Sequence, residues 1–218
     1  MVFLVALLHY EQVRLNERSF LDMSAIVKPV KLSYAECLER ELVAATKSEY
    51  HSGEVFAMAG ASRRHNSITG NIFAALYSRL GGSPCRPFLS DQRIRISKLD
   101  LGTYPDLSVV CGELEGDNVD PEAITNPRLL VEVLSDSTES YDRGRKFDFY
   151  RQIGSLEEYV LVSQQEPIVE RFKRQAGGDW LLTVYKGLEV AVDFTSIQTE
   201  LQLRDIYRFV DWSRDIVP

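Results

Sequence analysis

Two stretches in the first half of the chain repeat their hydrophobic residues every three or four positions, the period of an amphipathic helix. The first covers about 33–46 and opens with a capping box made by Ser33 and Glu36. The second covers about 66–80 and ends before two consecutive glycines, which commonly terminate helices. The pattern therefore predicts two helices, and the apolar stripe of the second consists of Ile68, Ile72, Leu76 and Leu80.

Strand-like runs of apolar residues fill most of the remaining chain. Because helices and strands are interspersed, their order predicts an α/β (α+β) fold, in which a mixed central sheet is flanked by helices. Strands are expected near 54–58, 87–96, 106–111, 128–134, 158–163, 167–173, 180–186 and 190–194, with further helices near 142–152 and 202–210.

Length and composition are typical of one globular domain. The chain has 218 residues, of which 44% are apolar and 26% charged. Helical periodicity becomes clear only after Lys31, so we interpret residues 1–30 as an N-terminal arm or extension and 31–218 as the domain. The apolar run Val2–Leu8 is too short to span a bilayer, and no membrane association is expected.

The cysteine pattern bears on the cellular compartment. Cys37, Cys85 and Cys111 are widely spaced and form no CxxC pair. This odd number indicates neither a disulfide framework nor a thiolate zinc site. We therefore expect reduced cysteines and a cytoplasmic location.

Basic residues are concentrated locally, although the net charge of the chain is −7. Arginines and lysines outnumber acids between residues 63 and 98, and a second basic group follows at 143–146. The alternation in Arg93-Ile94-Arg95 would place both arginines on one side of a strand, as a phosphate-facing edge requires. The same run is also compatible with an ordinary solvated face. The candidate nucleic-acid-binding residues are Arg63, Arg64, Arg93, Arg95, Arg143 and Arg145.

Two acidic residues stand where the strand pattern makes them costly. Asp106 follows Pro105 at the start of a strand, and Glu132 interrupts the apolar run Leu129–Leu134. Period two puts Glu132 on the same face as Leu130 and Leu134, a composition typical of a strand buried on both faces. An ionised carboxylate there is unfavourable unless a cation or strong donors compensate.

A divalent cation is the compensation that we expect. Two carboxylates on neighbouring strands, together with a main-chain carbonyl such as that of Val133 and with water, suit Mg²⁺ or Mn²⁺. Such an ion lowers the pKa of bound water and neutralises charge on a phosphate. Lys146, early in the helix expected at 142–152, could orient the attacking water or stabilise the transition state.

At these residues the chain resembles the PD-(D/E)XK nuclease superfamily, and within it a family of restriction endonucleases of unassigned target, over most of 33–173. The resemblance implies a mixed sheet flanked by helices, a Mg²⁺ site and cleavage of DNA. The motifs that carry it are Pro105-Asp106, Glu132-Val133-Leu134-Ser135, Tyr141-Asp142-Arg143-Gly144-Arg145-Lys146 and Glu158-Tyr159.

The resemblance has one departure, because the lysine usual in the superfamily lies two residues after the acid, where this chain has Leu134. In this family the lysine looks migrated to the next helix, which Lys146 fits. Glu54 and His65 look similar to family positions that complete the site, and Glu54 is the fourth candidate catalytic residue beside Asp106, Glu132 and Lys146.

Several alternatives stay open at this level. Glu132 could belong to a structural ion pair, Lys146 could be a solvated helix residue, and His65 could be a hydrogen-bonding residue at a helix start. The domain could keep the nuclease fold as a binding or structural module without cutting. A serine or cysteine hydrolase is disfavoured, because the chain has neither a G-x-S-x-G elbow nor a phosphate loop. Cleavage of both DNA strands would favour a homodimer.

Overall fold

The computed structural model describes residues 31–58 and 60–212. The expected arm over 1–30 lies outside the described residues, as do 213–218. Within the described ranges, the first half of the domain alternates helices with short strands. In chain order these elements are α1 (Tyr34–Glu41), β1 (Ser48–His51), β2 (Glu54–Ala57), α2 (Arg63–Arg79), β3 (Cys85–Leu89), β4 (Ile94–Ile96), β5 (Leu101–Thr103), β6 (Leu107–Cys111) and β7 (Leu129–Val133).

A helical segment over residues 139–150 follows and contains one wide turn of π geometry. It consists of α3 (Glu139–Tyr141), the π turn (Asp142–Lys146) and α4 (Phe147–Tyr150). The remaining elements are β8 (Glu158–Val162), β9 (Ile168–Arg174), β10 (Trp180–Lys186), β11 (Ala191–Phe194), β12 (Thr199–Gln202) and α5 (Leu203–Ile206).

The centre of the domain is a six-stranded mixed sheet in the order β10-β9-β8-β7-β6-β3. β7 and β8 run parallel, and the other neighbouring pairs are antiparallel. The parallel pair is buried on both faces, as the apolar run around Glu132 predicts. This arrangement confirms the expected fold class, a mixed central sheet flanked by helices.

The two faces of this sheet carry different cores. The helix α2 packs Ile68 and Ile72 against one face, which presents Leu129 and Val131. On the opposite face Leu130 packs with aromatic and aliphatic side chains from the 139–150 segment and the turn after it. The buried members there include Leu134, Tyr150, Ile153, Leu156, Tyr159 and Leu161.

The expected strand over 87–96 is wrong, because the chain reverses direction in the middle of it. The Gln92 amide donates to the carbonyl of Leu89, 3.0 Å away, in a turn between two short strands. β3 therefore joins the six-stranded sheet, whereas β4 joins a second sheet in the order β2-β1-β5-β4. The strands β1, β5 and β12 were not expected from the hydrophobic pattern.

Two cysteines are joined in the structure, which contradicts the expectation of reduced thiols. Cys85 on β3 and Cys111 on β6 stand directly opposite one another and form a disulfide. Their separation in sequence gave no indication that two strands would bring them together. Cys37 is free and buried. In residues 31–58 and 60–212, no helix has the length and apolar character needed to cross a membrane.

Candidate active site

Asp106 and Glu132 face each other across two neighbouring strands. The register of β6 and β7 pairs Leu107 with Val131, which places Asp106 directly opposite Glu132. The Asp106 amide lies 3.4 Å from Glu132 Oε2, and the Val133 amide donates to Asp106 Oδ2 over 2.7 Å. The two acids are thus held together by main-chain groups of the sheet itself.

Lys146 reaches this pair from the π turn. Its Nζ lies 2.9 Å from Glu132 Oε1, and the Tyr150 hydroxyl donates to the same oxygen over 2.8 Å. Glu132 is 4% exposed and Lys146 is 7% exposed. Tyr159 on β8 holds the π turn against the sheet, because its hydroxyl donates to the carbonyl of Asp142 over 3.0 Å. The helical segment therefore delivers an ammonium group to the acid of another element.

Glu49 on β1 is a further member of the cluster that the sequence did not indicate. Its Oε1 lies 3.5 Å from Lys146 Nζ and accepts a hydrogen bond from the Thr103 hydroxyl. Asp142 adds a fourth carboxylate, 3.7 Å from the same Nζ. The sequence Ser-Glu-Tyr-His of β1 has no apolar alternation, so nothing in the hydrophobic pattern singled out Glu49.

Glu54 does not take the place that the resemblance implies. It lies on β2, an exposed strand, opposite His51 of β1. Among the described residues, no hydrogen bond or ion pair joins Glu54 to the cluster. The acid that contacts Lys146 from this hairpin is Glu49, on the inner strand between β2 and β5.

His65 lies beside Asp106 at the start of α2. Its Nε2 is 3.0 Å from Asp106 Oδ2, and its amide donates to the side chain of the N-cap residue Ser62. The Thr69 hydroxyl lies 3.4 Å from Nδ1 of the same ring. His65 thus combines the role at a helix start with a contact to an acid of the cluster.

Burial and mutual repulsion govern the charges in the cluster. Burial raises the pKa of Glu132 to about 8, an effect opposed by the Lys146 ammonium and increased by Asp106 and Asp142. Burial also raises the pKa of Asp142. For Lys146 burial favours the neutral amine, but the carboxylates of Glu132, Glu49 and Asp142 prevail and hold its pKa well above the usual value. The site is a buried cation surrounded by an excess of carboxylates.

The donor atoms of this cluster fit a hard divalent cation. Both described hydrogen bonds of the Asp106 side chain use Oδ2, which leaves Oδ1 available, and Glu132 Oε2 has only the long contact to the Asp106 amide. Across the described ranges, no three side chains of His, Cys, Asp or Glu converge in a ready ligand cage. An ion here would need main-chain oxygen and water as well, which is how Mg²⁺ is usually bound in proteins.

The arginines Arg93 and Arg95 do not form a phosphate-facing edge, contrary to the expectation. They do share one side of β4, but that side faces α1. Arg93 forms ion pairs with Glu41 and Asp120. Arg95 is buried, 2.7 Å from Asp100, with its guanidinium 3.7 Å from the ring centre of Tyr34.

Two of the remaining candidate arginines have polar partners within the domain. Arg64 donates to the carbonyl of Gln164 over 3.0 Å, and Arg143 forms ion pairs with Glu139 and Glu170. Arg63 and Arg145 are exposed. Arg63 begins α2, two positions before His65, and Arg145 immediately precedes Lys146. These two are the basic side chains best placed to meet a substrate beside the cluster.

A mixed sheet flanked by helices, with an acid pair on neighbouring strands and a lysine beside them, defines a restriction-endonuclease-like protein. The family model described as "Uma2: Putative restriction endonuclease" matches residues 34–204, and the chain belongs to this family.

Two relatives and one solved structure are similar to this chain. "Uncharacterized protein sll1609" of Synechocystis sp. (strain ATCC 27184 / PCC 6803 / Kazusa) is 38% identical over 164 residues, 75% of this chain and 93% of the relative. "Uncharacterized protein slr1290" of the same organism is 36% identical over 178 residues, 82% and 92% of the two chains. The crystal structure of a "putative nuclease belonging to DUF820" from Anabaena variabilis ATCC 29413 has a TM-score of 0.61 at 18% identity, over 75% of this chain and 91% of that one. That likeness shows a common fold.

Proposed function

We propose that the protein is a Mg²⁺-dependent endonuclease that hydrolyses phosphodiester bonds, with DNA as its substrate. One observation carries the proposal: the Lys146 ammonium lies 2.9 Å from a buried Glu132 that stands opposite Asp106. A buried acid pair with one lysine has more negative than positive charge, and a divalent cation would restore the balance.

In this proposal each residue of the cluster has a distinct task. Asp106, Glu132 and the carbonyl of Val133 would hold Mg²⁺ or Mn²⁺. Bound there, the ion would lower the pKa of a water molecule and neutralise charge on the scissile phosphate. Lys146 keeps its proton, because its pKa is held high by the surrounding carboxylates, and can donate to oxygens on which negative charge builds up.

Three neighbours orient these groups rather than contact the substrate. Glu49 lies 3.5 Å from Lys146 and limits where the flexible amine can point. The Tyr150 hydroxyl donates to Glu132 Oε1, which leaves Oε2 on the side of Asp106. His65 contacts Oδ2 of Asp106 and so restricts the orientation of that carboxylate. Such supporting contacts matter for activity, because a metal site depends on the orientation of its ligands.

One observation favours a second candidate, a nuclease-like module that does not cut. The ion pair of Lys146 and Glu132, completed by Tyr150, satisfies the buried acid without any metal. A pair of this kind could be retained only for the stability or the specificity of the fold.

The two candidates differ in a cleavage assay. Purified protein is incubated with supercoiled plasmid and with single-stranded DNA in Mg²⁺, Mn²⁺ or EDTA, beside Asp106→Asn, which changes one ligand at nearly constant shape. The endonuclease predicts cleavage that requires a divalent ion and is lost in the variant. Intact DNA in all conditions would support the silent module. Cleavage that persists in EDTA and in Asp106→Asn would contradict cleavage at this site.

A further inference from the structure

The strand β10 is an edge of the central sheet and carries exposed apolar side chains. Within the described residues its only strand neighbour is β9. Leu181, Leu182 and Val184 are exposed by 54%, 46% and 54% of their surface. They lie on both faces of a seven-residue strand, so folding within this domain covers each face only in part, at Tyr185 on one side and at Trp180 on the other. A long edge with this composition can pair with another chain.

Two other sheet edges have features that natural proteins use to prevent such pairing. β3, at the opposite edge of the same sheet, contains Pro87, which has no amide hydrogen to donate. β2, at an edge of the second sheet, has only four residues. β10 has neither a proline nor a charge before Lys186 at its end.

The backbone of β10 shows which groups are free to pair. Just beyond the strand, the Gly187 amide donates to the carbonyl of Pro167, and at the other end the carbonyl of Asp179 accepts from Gln175. Hydrogen-bonded pairs alternate along an antiparallel ladder, so the odd-numbered residues of β10 bond to β9. The amides and carbonyls of the even-numbered residues, among them Leu182 and Val184, therefore point away from the sheet.

We propose that β10 pairs antiparallel with β10 of a second copy of this chain, with the two-fold axis at Thr183. This register opposes Leu182 to Val184 of the second copy, and both residues have outward-pointing backbone groups. It also opposes Leu181 to Tyr185. Every exposed apolar side chain of the strand then meets an apolar or aromatic one, which is the main source of stability in paired strands.

Charge complementarity favours this register and favours a second copy of the chain as the partner. With the axis at Thr183, Lys186 of one copy stands opposite Trp180 of the other and next to its Asp179, so a cation meets an acid at each end of the joint. Within its own copy Lys186 lies 3.0 Å from Glu166, and both side chains are exposed, so the ammonium can contact Asp179 of the second copy as well. An axis at Val184 would oppose Lys186 to Leu182 instead. An axis at Leu182 would leave Lys186 beyond the end of the paired strands.

Sedimentation analysis of the full chain tests the interface. Wild type is expected to sediment as a dimer at micromolar concentration, and Val184→Lys as a monomer, because the new charge would face Leu182 of the second copy. Val55→Lys is the matched control: it places the same charge on the exposed edge strand β2, and the dimer should persist. A monomeric wild type, or a dimer that survives Val184→Lys with a circular dichroism spectrum like that of wild type, overturns the proposal.

Disulfide trapping tests the register and does not depend on a destabilising variant. Thr183→Cys would bring two sulfurs together across the axis in a non-hydrogen-bonded pair, where Cα atoms lie about 4.5 Å apart, within disulfide range. Mild oxidation should convert most of this variant to a covalent dimer. Leu181→Cys, whose two copies would lie four residues apart, should stay largely unlinked, as should wild type. Equal linking of the two variants, or none for Thr183→Cys, overturns the proposal.

Discussion

Lys146 and Glu132 form a buried ion pair with an Nζ to Oε1 distance of 2.9 Å, although one belongs to a helical turn and the other to a central strand. The helical segment packs on the face of the sheet that carries Glu132, and this position lets the lysine contact the acid. In the proposed mechanism the acid and the lysine therefore lie on two different elements, and each can be changed separately.

We expect Lys146→Ala to leave Mn²⁺ affinity nearly unchanged while lowering the cleavage rate by about 10²-fold or more, because the lysine would act where negative charge builds up in the transition state. Asp106→Asn should abolish both Mn²⁺ binding and cleavage. Single-turnover cleavage beside Mn²⁺ titration separates these effects. The control is Arg151→Ala, which removes an exposed charge at the end of the same helical segment. If Lys146→Ala cuts at the wild-type rate, the lysine only balances the charge of Glu132.

Glu49→Gln should lower cleavage by about tenfold or more, because Lys146 would lose an anionic neighbour that restrains it. The matched variant Glu54→Gln changes the acid of the adjacent exposed strand and should cut like wild type. Urea unfolding of both variants checks that their folding midpoints are equal, so that a difference in cleavage does not come from a difference in stability. If Glu54→Gln lowered cleavage and Glu49→Gln did not, Glu54 rather than Glu49 would belong to the site.

The metal-free protein should lose stability relative to Glu132→Gln as the pH rises from about 4.5 to about 8. The folded pKa of Glu132 lies above its usual value, so the folded state holds this proton more tightly than the unfolded state. The stability that the proton contributes is complete below pH 4.5 and is lost as the pH rises through 8.

Urea unfolding of both proteins in EDTA across this range measures the difference. In wild type the carboxylates of Glu132, Glu49 and Asp142 hold the pKa of Lys146 well above its usual value, and Glu49 and Asp142 still act in that direction in Glu132→Gln. Saturating Mn²⁺ should reduce the loss in wild type. If the difference in unfolding free energy between the two proteins stays constant across this pH range, the folded pKa of Glu132 is not raised.

Arg63→Ala combined with Arg145→Ala should weaken DNA binding and flatten its dependence on salt, since removing an arginine from a phosphate reduces the salt slope by about one. Arg93→Ala should act differently. It leaves Asp120 buried without its cation, which costs on the order of 3 kcal/mol of stability, and should leave the salt slope unchanged. Fluorescence anisotropy at several salt concentrations, with unfolding curves for each variant, distinguishes the two. A reduced slope in Arg93→Ala alone would place this arginine on the DNA path after all.

The acid pair could be predicted from sequence because its evidence is local. A charged residue in an apolar run fixes the face of Glu132 through period two, and the structure places Leu130 and Leu134 in the core on that same face. The partners of a side chain are not local. Alternation correctly put Arg93 and Arg95 on one side of a strand, but it contained no information about α1, which covers that side.

Short polar strands are the other element that the sequence concealed. β1 supplies Glu49 and β5 lies beside it, yet neither is long enough to show a period. Their strand conformation comes from pairing with β2, with β4 and with each other rather than from intrinsic preference, so only tertiary structure identifies them. The same holds for Cys85 and Cys111, whose contact depends on the register of β3 and β6.

The π turn that carries Lys146 contains a residue whose removal would leave the lysine in place. A π turn holds one residue more than an α-helical turn, and π turns commonly occur at functional sites. Gly144 is exposed and has open space around it, so its deletion would convert the turn to a regular helix and keep the helical phase on both sides. Lys146 and Tyr150 both follow Gly144 and would keep their relative orientation. Deletion of Asp148, which lies between these two residues, would instead rotate them by about 100° relative to each other, so that they could no longer both reach the same oxygen of Glu132.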